Sequence, residues 1–148
     1  MLDRRDILRV GMGVAALAGV AHAAEESAGE LAAPRTAGDA QERLAKAIGE
    51  CVLTGNACLE HCLRLLGTGD TSLAECAKSV RDMLPVCGAV QALLAGNSPH
   101  TKAAVTLCLD VCTDCERACR KHESHHAICK KCADACASTA KAARTFLA

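Results

Sequence analysis

Seven of the twelve cysteines fall between Cys108 and Cys136, in two runs with steps of three and four residues. The first run reads Cys108-x3-Cys112-x2-Cys115-x3-Cys119, and the second reads Cys129-x2-Cys132-x3-Cys136. Steps of three and four place side chains on one face of an α-helix. The residues between the cysteines do not alternate as in a strand, and most of the charged ones fall away from the thiol face. Each run therefore predicts a helix that presents a stripe of thiols to its neighbours.

Composition makes sulfur a main material of the predicted core. The 148 residues suit one small domain, and 51% of them are apolar. The chain has one Phe and no Trp or Tyr, so Cys, Ala, Leu and Val have to fill the space that aromatic rings usually occupy. The 17 acidic and 17 basic residues leave no net charge. Since no basic patch with interleaved aromatics is present in the sequence, we expect no nucleic-acid partner.

The first 23 residues have the pattern of an export signal. Asp3-Arg4-Arg5-Asp6-Ile7 precedes an apolar run that ends at Val20, and the small-residue site Ala21-His22-Ala23 follows. We interpret residues 1–23 as a twin-arginine signal peptide that is cleaved after Ala23. The apolar run has roughly 11 residues against the ~20 of a membrane span, so we expect no membrane association after cleavage. Such export carries folded proteins, which predicts a periplasmic protein whose thiols fold in the cytoplasm.

The rest of the chain predicts a linker and one helical domain. Residues 24–38 are small and polar and predict a flexible linker. Residues 39–148 predict helices at about 39–66, 72–95, 98–121 and 124–146, with Gly67-Thr68-Gly69 and Gly96-Asn97 as the first two breaks. Ser72 and Glu75 have capping-box spacing, and Ser98 with Pro99 has the pattern of a helix start. Short connections predict an all-α, antiparallel up-down-up-down four-helix bundle with a cysteine-lined core.

An antiparallel order gives the two ends of the bundle different chemistry. We call the end with the predicted turns at residues 67–71 and 122–124 the mouth, and the opposite end the floor. The mouth is expected to collect His61, His122, His125 and His126 around a thiol-lined tube. Cys51 and Cys87 are expected deepest, about 24 Å from the mouth at 1.5 Å per residue. The floor is expected to be closed by aliphatic and aromatic side chains, namely Leu44, Ile48, Val90, Leu94 and Phe146.

Three kinds of chemistry fit cysteines arranged in this way. An even cysteine count in an exported protein can form disulfides, but helix-face neighbours stand roughly 5–6 Å apart at Cβ, against about 3.8 Å in a disulfide. Cys129-x2-Cys132 has a zinc-like gap, but no loop closes the tetrahedron and the ferredoxin-type cysteine run is absent. Cuprous ion prefers thiolates and accepts two nearly collinear sulfurs, which Cys-x3-Cys on one helix supplies. The residues favour Cu(I) and leave the disulfide and zinc alternatives open.

Beyond the two runs, the chain contains Cys51-x6-Cys58-x3-Cys62, with the segment Gly55-Asn56-Ala57-Cys58-Leu59-Glu60-His61-Cys62, followed by Cys76 and Cys87-Gly88. This pattern resembles the bacterial copper storage proteins over about residues 40–148. The resemblance implies a cysteine-lined four-helix bundle that forms a homotetramer and, for exported members, a twin-arginine signal. It also implies a mouth-ligand role for His61 and a ligand role for Cys51, Cys58, Cys62, Cys76, Cys87, Cys112, Cys115, Cys119, Cys129, Cys132 and Cys136.

This chain also departs from the resemblance at several positions. Cys108 is an additional cysteine on the third helix. Thr139 and Ala143 stand where an exported relative continues its last stripe with cysteine. Methionines near the mouth of that relative are replaced by Leu65, Thr68 and Leu73. His122, His125, His126 and Met83 are therefore further candidates for metal binding here, with solvation or core packing as the alternative.

We expect a protein that stores or buffers many Cu(I) ions per chain through all twelve cysteines and His61, and that is not an enzyme. A thiol oxidoreductase is disfavoured, because such enzymes need a reactive Cys-x-x-Cys at an exposed helix start and the pairs here lie inside helices. A periplasmic chaperone that passes copper to an accepting protein remains an alternative, although it needs only one or two sites. The sequence leaves open the copper stoichiometry, the affinity, and the donor and acceptor of copper.

If the thiols serve copper, protein purified from the exported fraction keeps most of them as free or metal-bound sulfur. The measurement is a thiol count after anaerobic denaturation and removal of metal. Six disulfides per chain would contradict a storage role, because the ligands would already be used up.

Overall fold

Four helices account for nearly all of residues 35–148, which are the residues that the computed structural model describes. They are α1 (Arg35–Gly67), α2 (Ala74–Ala95), α3 (Thr101–Arg120) and α4 (Ala127–Leu147), and no strand occurs in this range. The predicted all-α class is confirmed. No helix among these residues is both long enough and apolar enough to cross a membrane. The predicted signal peptide, residues 1–23, and the linker as far as residue 34 lie outside the described residues.

The helices form a closed ring around one core. Each helix contacts the next one along the chain, and α1 also contacts α4. Across the diagonals, α1 with α3 and α2 with α4, the described backbones do not meet. Because the connections 68–73, 96–100 and 121–126 are short, neighbouring helices run antiparallel. The predicted up-down-up-down bundle is confirmed. Only side chains fill its centre.

Helix starts differ from the prediction more than helix ends do. α1 already begins at Arg35, so residues 35–38 of the predicted linker are helical. The capping box predicted for Ser72 is wrong: its backbone N–H donates to Asp70 Oδ1 at 2.9 Å, and the first turn of α2 has no side-chain cap. Tighter turns also precede two helices, in which Ala74 N donates to the Thr71 carbonyl and Thr101 N to the Ser98 carbonyl, each at 3.1 Å. These turns shift both helix starts by a few residues.

The two predicted breaks between helices lie where residues with positive φ allow a tight reversal. Gly69 has φ +87°, and the next residue, Asp70, donates its N–H to the Leu65 carbonyl at 3.1 Å. Asn97 has φ 48°, a conformation that Asn tolerates better than most residues. Both residues follow the last helical turn, so they end α1 and α2 at the predicted positions.

Aliphatic side chains fill the floor, as predicted, with one difference. Leu44, Ile48 and Val90 are completely buried, and Leu94 is 4% exposed. Phe146 is only partly buried and lines a surface groove of about 350 Å³ together with Gln41 and Leu94. The seal at this end is therefore made by the aliphatic residues, with Phe146 at its outer edge.

Ion pairs on the outside connect three helices near the mouth. Arg120 of α3 donates to Asp134 of α4 at 2.7 Å and to Glu123 at 2.9 Å. Lys121 reaches Glu75 of α2, with both oxygens at 2.9 Å. Exposed pairs of this kind contribute little to stability individually, but they fix the ends of α2, α3 and α4 relative to one another. These ion pairs lie on the surface, outside the sulfur-lined core.

The reduced, metal-free protein should already be mostly helical, because the aliphatic floor and the amphipathic faces do not depend on metal. Far-ultraviolet circular dichroism of anaerobic protein treated with a chelator measures this. A coil spectrum that becomes helical only on adding metal would contradict the expectation and indicate a structural metal site.

Candidate metal centre

Sulfur fills the upper and middle parts of the core. All twelve cysteines are free and none exposes any surface. The hydrogen-bonded sulfur pairs lie between 3.3 Å, for Cys76 and Cys119, and 4.0 Å, for Cys115 and Cys132. These distances exceed the about 2.05 Å of a disulfide bond and correspond to thiols in contact. The helix periodicity has therefore turned every cysteine inward, as the sequence spacing predicted.

The sulfur atoms form four groups in which all members lie within 4.8 Å of one another. We call the one nearest the mouth the upper group, consisting of Cys58, Cys62, Cys76 and Cys129. Two middle groups follow, Cys58 with Cys119 and Cys132, and Cys115 with Cys132 and Cys136. The deep group consists of Cys51, Cys87 and Cys112. Every group combines sulfurs from at least two helices, and three of them combine three helices.

Shared members connect these groups into one column. Cys58 belongs to the upper group and to the first middle group, and Cys132 belongs to both middle groups. The last step is a contact of 3.6 Å between Cys136 and Cys51 of the deep group. An ion bound anywhere in the column therefore has another set of sulfurs next to it. We call this arrangement the sulfur column.

Cys108 extends the column toward the floor. Its sulfur lies 3.7 Å from Cys87 and 3.8 Å from Cys112, although it completes no group of three among the described residues. On α4 the column ends at Thr139, which is fully buried and donates its hydroxyl to the Ala47 carbonyl at 3.1 Å. The threonine thus satisfies its own polar atom and offers no thiol where the stripe would otherwise continue.

Met83 belongs to the deep part of the column as well. It is fully buried, and its sulfur accepts hydrogen bonds from Cys51 at 3.5 Å and Cys87 at 3.4 Å. From the sequence, Met83 was a candidate both for core packing and for metal binding. Its thioether sulfur lies among the thiols, whereas a purely space-filling methionine needs only apolar neighbours.

Burial and hydrogen bonding between thiols move their pKa values in opposite directions. Burial raises the pKa of the Cys129 thiol, and the nearby Cys58 and Cys76 sulfurs add to this. For Cys62, a hydrogen bond from Cys58 lowers the pKa, but the bond to Cys76 and burial outweigh it and raise the pKa to about 12. For Cys108, hydrogen bonds from Cys112 and Cys87 lower the pKa to about 4 despite burial. Thiols that stay protonated, such as Cys62, can donate hydrogen bonds, and bonds of this kind stabilise thiolates such as Cys108.

Three of the predicted mouth histidines lie close together. His61 Nε2 is 3.0 Å from His126 Nδ1, and the rings of His122 and His126 have centroids 6.4 Å apart. Arg64 donates to His61 Nδ1 at 3.0 Å. Burial, His126 and Arg64 all lower the pKa of His61, which favours its neutral form. His125 is exposed on the same turn.

Both ring nitrogens of His61 already have partners. A neutral ring that accepts from Arg64 at Nδ1 carries its proton on Nε2 and donates it to His126. His61 is not a member of any sulfur group found within residues 35–148. A metal ion at His61 therefore has to displace Arg64 or His126 first.

Side chains cover the cysteines at the mouth end of the column. Leu73, directly before α2, is fully buried in the same core as Cys62 and Cys76. Leu73 was not among the predicted core residues, although its spacing of three and four residues from Cys76 and Ala77 places it on the inner face of α2. Since no thiol is exposed, an ion can reach the column only after side chains that cover it move.

The family follows from a match over the whole helical region. A family model described as Csp, copper storage protein, matches residues 37–148. The chain belongs to the copper storage protein family. The matched range includes all twelve cysteines, so the family assignment and the sulfur column concern the same part of the chain.

Relatives of known structure share this fold. The Cu(I)-bound copper storage protein BsCsp3 is 28% identical with a TM-score of 0.66, over 74% of this chain and 99% of that one. The apo form of Csp3 is described as coming from Bacillus subtilis. Ccsp from Streptomyces lividans, loaded with 10 copper equivalents, is 28% identical with a TM-score of 0.68, over 74% of this chain and 84% of that one. Both likenesses cover most of residues 35–148.

A curated relative carries no established function. It is the uncharacterized cysteine-rich protein YhjQ of Bacillus subtilis strain 168, 29% identical over 99 residues, which is 67% of this chain and 88% of the relative. Its description agrees with the cysteine-rich composition of this chain and adds no activity to it.

Proposed function

We propose that this protein stores Cu(I), with many ions per chain held as thiolate complexes along the sulfur column. The observation that carries this proposal is the continuity of the column: four groups of three or four sulfurs, connected by shared members and by one contact of 3.6 Å. Thiolates are the donors that Cu(I) prefers. Membership of the copper storage family supports the same conclusion, as do solved relatives described as Cu(I)-bound or loaded with copper.

The sulfur distances suit low coordination numbers. With metal–sulfur bonds of about 2.3 Å, a three-coordinate ion holds its sulfurs roughly 4.0 Å apart and a linear ion roughly 4.6 Å apart. The hydrogen-bonded pairs in the column lie 3.3–4.0 Å apart, so they have to open by up to about 0.7 Å for a three-coordinate ion and by about 0.6–1.3 Å for a linear one. We propose all twelve cysteines as ligands, including Cys108, which pairs with Cys112 at 3.8 Å on one helix.

Charge explains why a column of this kind suits many monovalent ions. Each thiol that binds Cu(I) releases a proton, and one ion per thiolate leaves that pair neutral. A dozen unpaired thiolates in the same core would be very unfavourable. Filling therefore replaces the protons of these thiols by ions at nearly constant charge.

Titration of reduced, full-length protein with Cu(I) against a chromogenic chelator tests the proposal. We expect several ions per chain, on the order of one per thiol, because bridging thiolates let neighbouring ions share ligands. One or two equivalents would favour the chaperone alternative instead. No binding at all would rule out storage.

If the protein binds zinc instead, the upper group is the one specific candidate site among residues 35–148. Its four cysteines have the donor number and donor type of a tetrahedral structural zinc site. The same titration with Zn²⁺ separates the two functions. If zinc binds only at the upper group, its binding should saturate near one equivalent per chain. Copper storage requires several equivalents of Cu(I) per chain.

A matched pair of variants tests the proposed ligands. Cys132 contributes to two sulfur groups, whereas Cys108 completes none. Cys132→Ser should therefore lose more copper per chain than Cys108→Ser, although both remove one buried thiol. Copper capacity after gel filtration gives the comparison, and circular dichroism of both apo variants checks that they fold. Equal losses would show that the groups do not define the sites.

Catalysis forms no part of this proposal. The Cys-x-x-Cys pairs Cys112 with Cys115 and Cys129 with Cys132 are fully buried, whereas an oxidoreductase thiol has to reach its substrate. A copper-accepting partner protein remains compatible with storage, since stored ions have to leave again. A peroxidase or disulfide-exchange activity abolished by Cys112→Ser would contradict this part of the proposal.

We propose that the chain is exported, on the strength of Arg4, Arg5 and the Ala21-His22-Ala23 site in its sequence. This differs from the Streptomyces lividans relative, which is described as a cytosolic copper storage protein. Residues 1–23 would then be the signal and residues 24–34 a linker to the helical domain. Cell fractionation of the parent and of the Arg4→Lys, Arg5→Lys double variant tests this, and equal retention of both in the cytoplasm would refute export.

We further propose that the chain forms a homo-oligomer, with a tetramer expected from the family resemblance. Leu53, Leu63 and Leu107 are large apolar side chains that are each more than half exposed, and self-association would cover such surface. Light scattering of the purified protein measures the mass. A monomer at micromolar concentration would contradict this proposal and leave copper storage unaffected.

Copper should enter and leave through the mouth. Leu44, Ile48 and Val90 seal the floor, and a cation crosses an aliphatic layer only at high energy. At the mouth, the paired rings of His61 and His126 can rearrange around an ion, and imidazole also binds copper. Joint replacement of His61, His122, His125 and His126 by Ala should therefore slow both loading and removal by a chelator. Total capacity should stay within one or two ions of the parent.

His100 is the matched control for this prediction, since it is an exposed histidine before α3, at the floor end. His100→Ala should leave the rates unchanged in stopped-flow measurements with a chromogenic chelator. Unchanged rates in the four-histidine variant, or loss of half the capacity, would show that the mouth or the ligands are misassigned.

A further inference from the structure

Met83 places a thioether sulfur within the deep end of the column. Its Sδ lies 3.5 Å from Cys51 Sγ and 3.4 Å from Cys87 Sγ, and those two thiols lie within 4.8 Å of each other. The three sulfurs come from α1 and α2, on two sides of the core. No other methionine occurs among residues 35–148, because the remaining two are Met1 and Met12.

The neighbouring helix, α1, leaves room for the Met83 side chain. Gly55 on α1 faces α2, and a Cβ at this position would approach the terminal methyl of Met83 to 2.8 Å and Leu84 Cδ2 to 3.0 Å. The methyl group of Met83 therefore fills the space that a side chain at position 55 would need. With the methyl held against α1 in this way, the sulfur is left facing the two thiols.

We propose that Met83 is a ligand, and that it forms with Cys51 and Cys87 a site for one Cu(I) ion at the deep end of the column. This inference rests on the copper storage function proposed above. Thioether sulfur is among the soft donors that Cu(I) accepts. A three-coordinate ion needs its sulfurs roughly 4.0 Å apart, so Met83 has to move by only about half an ångström from each thiol.

Charge gives the site a physical reason. On binding, Cys51 and Cys87 each release one proton, while the thioether releases none, so the complex of two thiolates, one thioether and one Cu(I) carries a single negative charge. Three thiolates around one ion would carry two negative charges. Ile48 and Val90 of the aliphatic floor lie about one helical turn from Cys51 and Cys87, and a buried charge is costly beside such side chains. A neutral third donor is therefore favourable at this end.

Selenium X-ray absorption tests the ligation directly. Full-length Met12→Leu protein grown on selenomethionine carries selenium only at Met1 and Met83. After loading with Cu(I), the selenium K-edge spectrum should show a copper neighbour at bonding distance for about half of the selenium atoms, and the apo protein should not. The control is the Met12→Leu, Met83→Leu double variant, in which the copper path should disappear. A loaded parent without a selenium–copper path would overturn the inference.

A second readout uses capacity. Met83→Leu nearly conserves volume, so the variant is expected to fold, with a cost below about 1.5 kcal/mol. It should bind one Cu(I) ion fewer per chain than the parent, while Met12→Leu should match the parent. An unchanged capacity together with an absent selenium–copper path would reduce Met83 to core packing and leave storage intact. If the parent itself bound no copper, the proposed function would fail and this site with it.

Discussion

Sulfur can be buried on this scale only if its charge is controlled, and the rest of the molecule depends on that constraint. A thiolate in an aliphatic core is unfavourable unless a proton or a soft cation neutralises it. In the metal-free protein the thiols make hydrogen bonds to one another over 3.3–4.0 Å, so thiols that keep their protons stabilise neighbours that lose them. Because Cu(I) carries the same charge as the proton it replaces, one set of side chains can serve both states.

The architecture of the bundle arranges the sulfur atoms in a column. The four helices are antiparallel, and their backbones do not meet across the two diagonals. They leave a central space that only side chains can fill. Cysteines on all four helices meet there, and shared members such as Cys58 and Cys132 turn separate groups into a column. The aliphatic floor and the outer ion pairs around Arg120 hold the helices without using any thiol. We therefore expect folding not to depend on metal binding, as storage requires.

Two positions show how the ends of the column differ. At the mouth, Leu73 is buried beside the upper cysteines, and His61 is held between Arg64 and His126, so uptake needs movement of side chains. At the deep end, Thr139 satisfies its own hydroxyl on the Ala47 carbonyl, and Met83 brings a neutral sulfur to Cys51 and Cys87. We propose the mouth as the end through which copper passes, and the deep end as the one whose donors limit charge.

The sequence by itself determined the helices, their order and the inward face of every cysteine, because periods of three and four residues depend only on local geometry. It also located the ends of α1 and α2, since Gly69 and Asn97 permit a backbone that most residues avoid. Tertiary structure alone decided which cysteines share a group, because members of one group are as far apart in sequence as Cys58 and Cys129. For the same reason, the position of Leu73 beside the upper cysteines and the contact of Met83 with two thiols became visible only once the helices were packed. Contacts between helices depend on their relative rotation and depth, which no local pattern records.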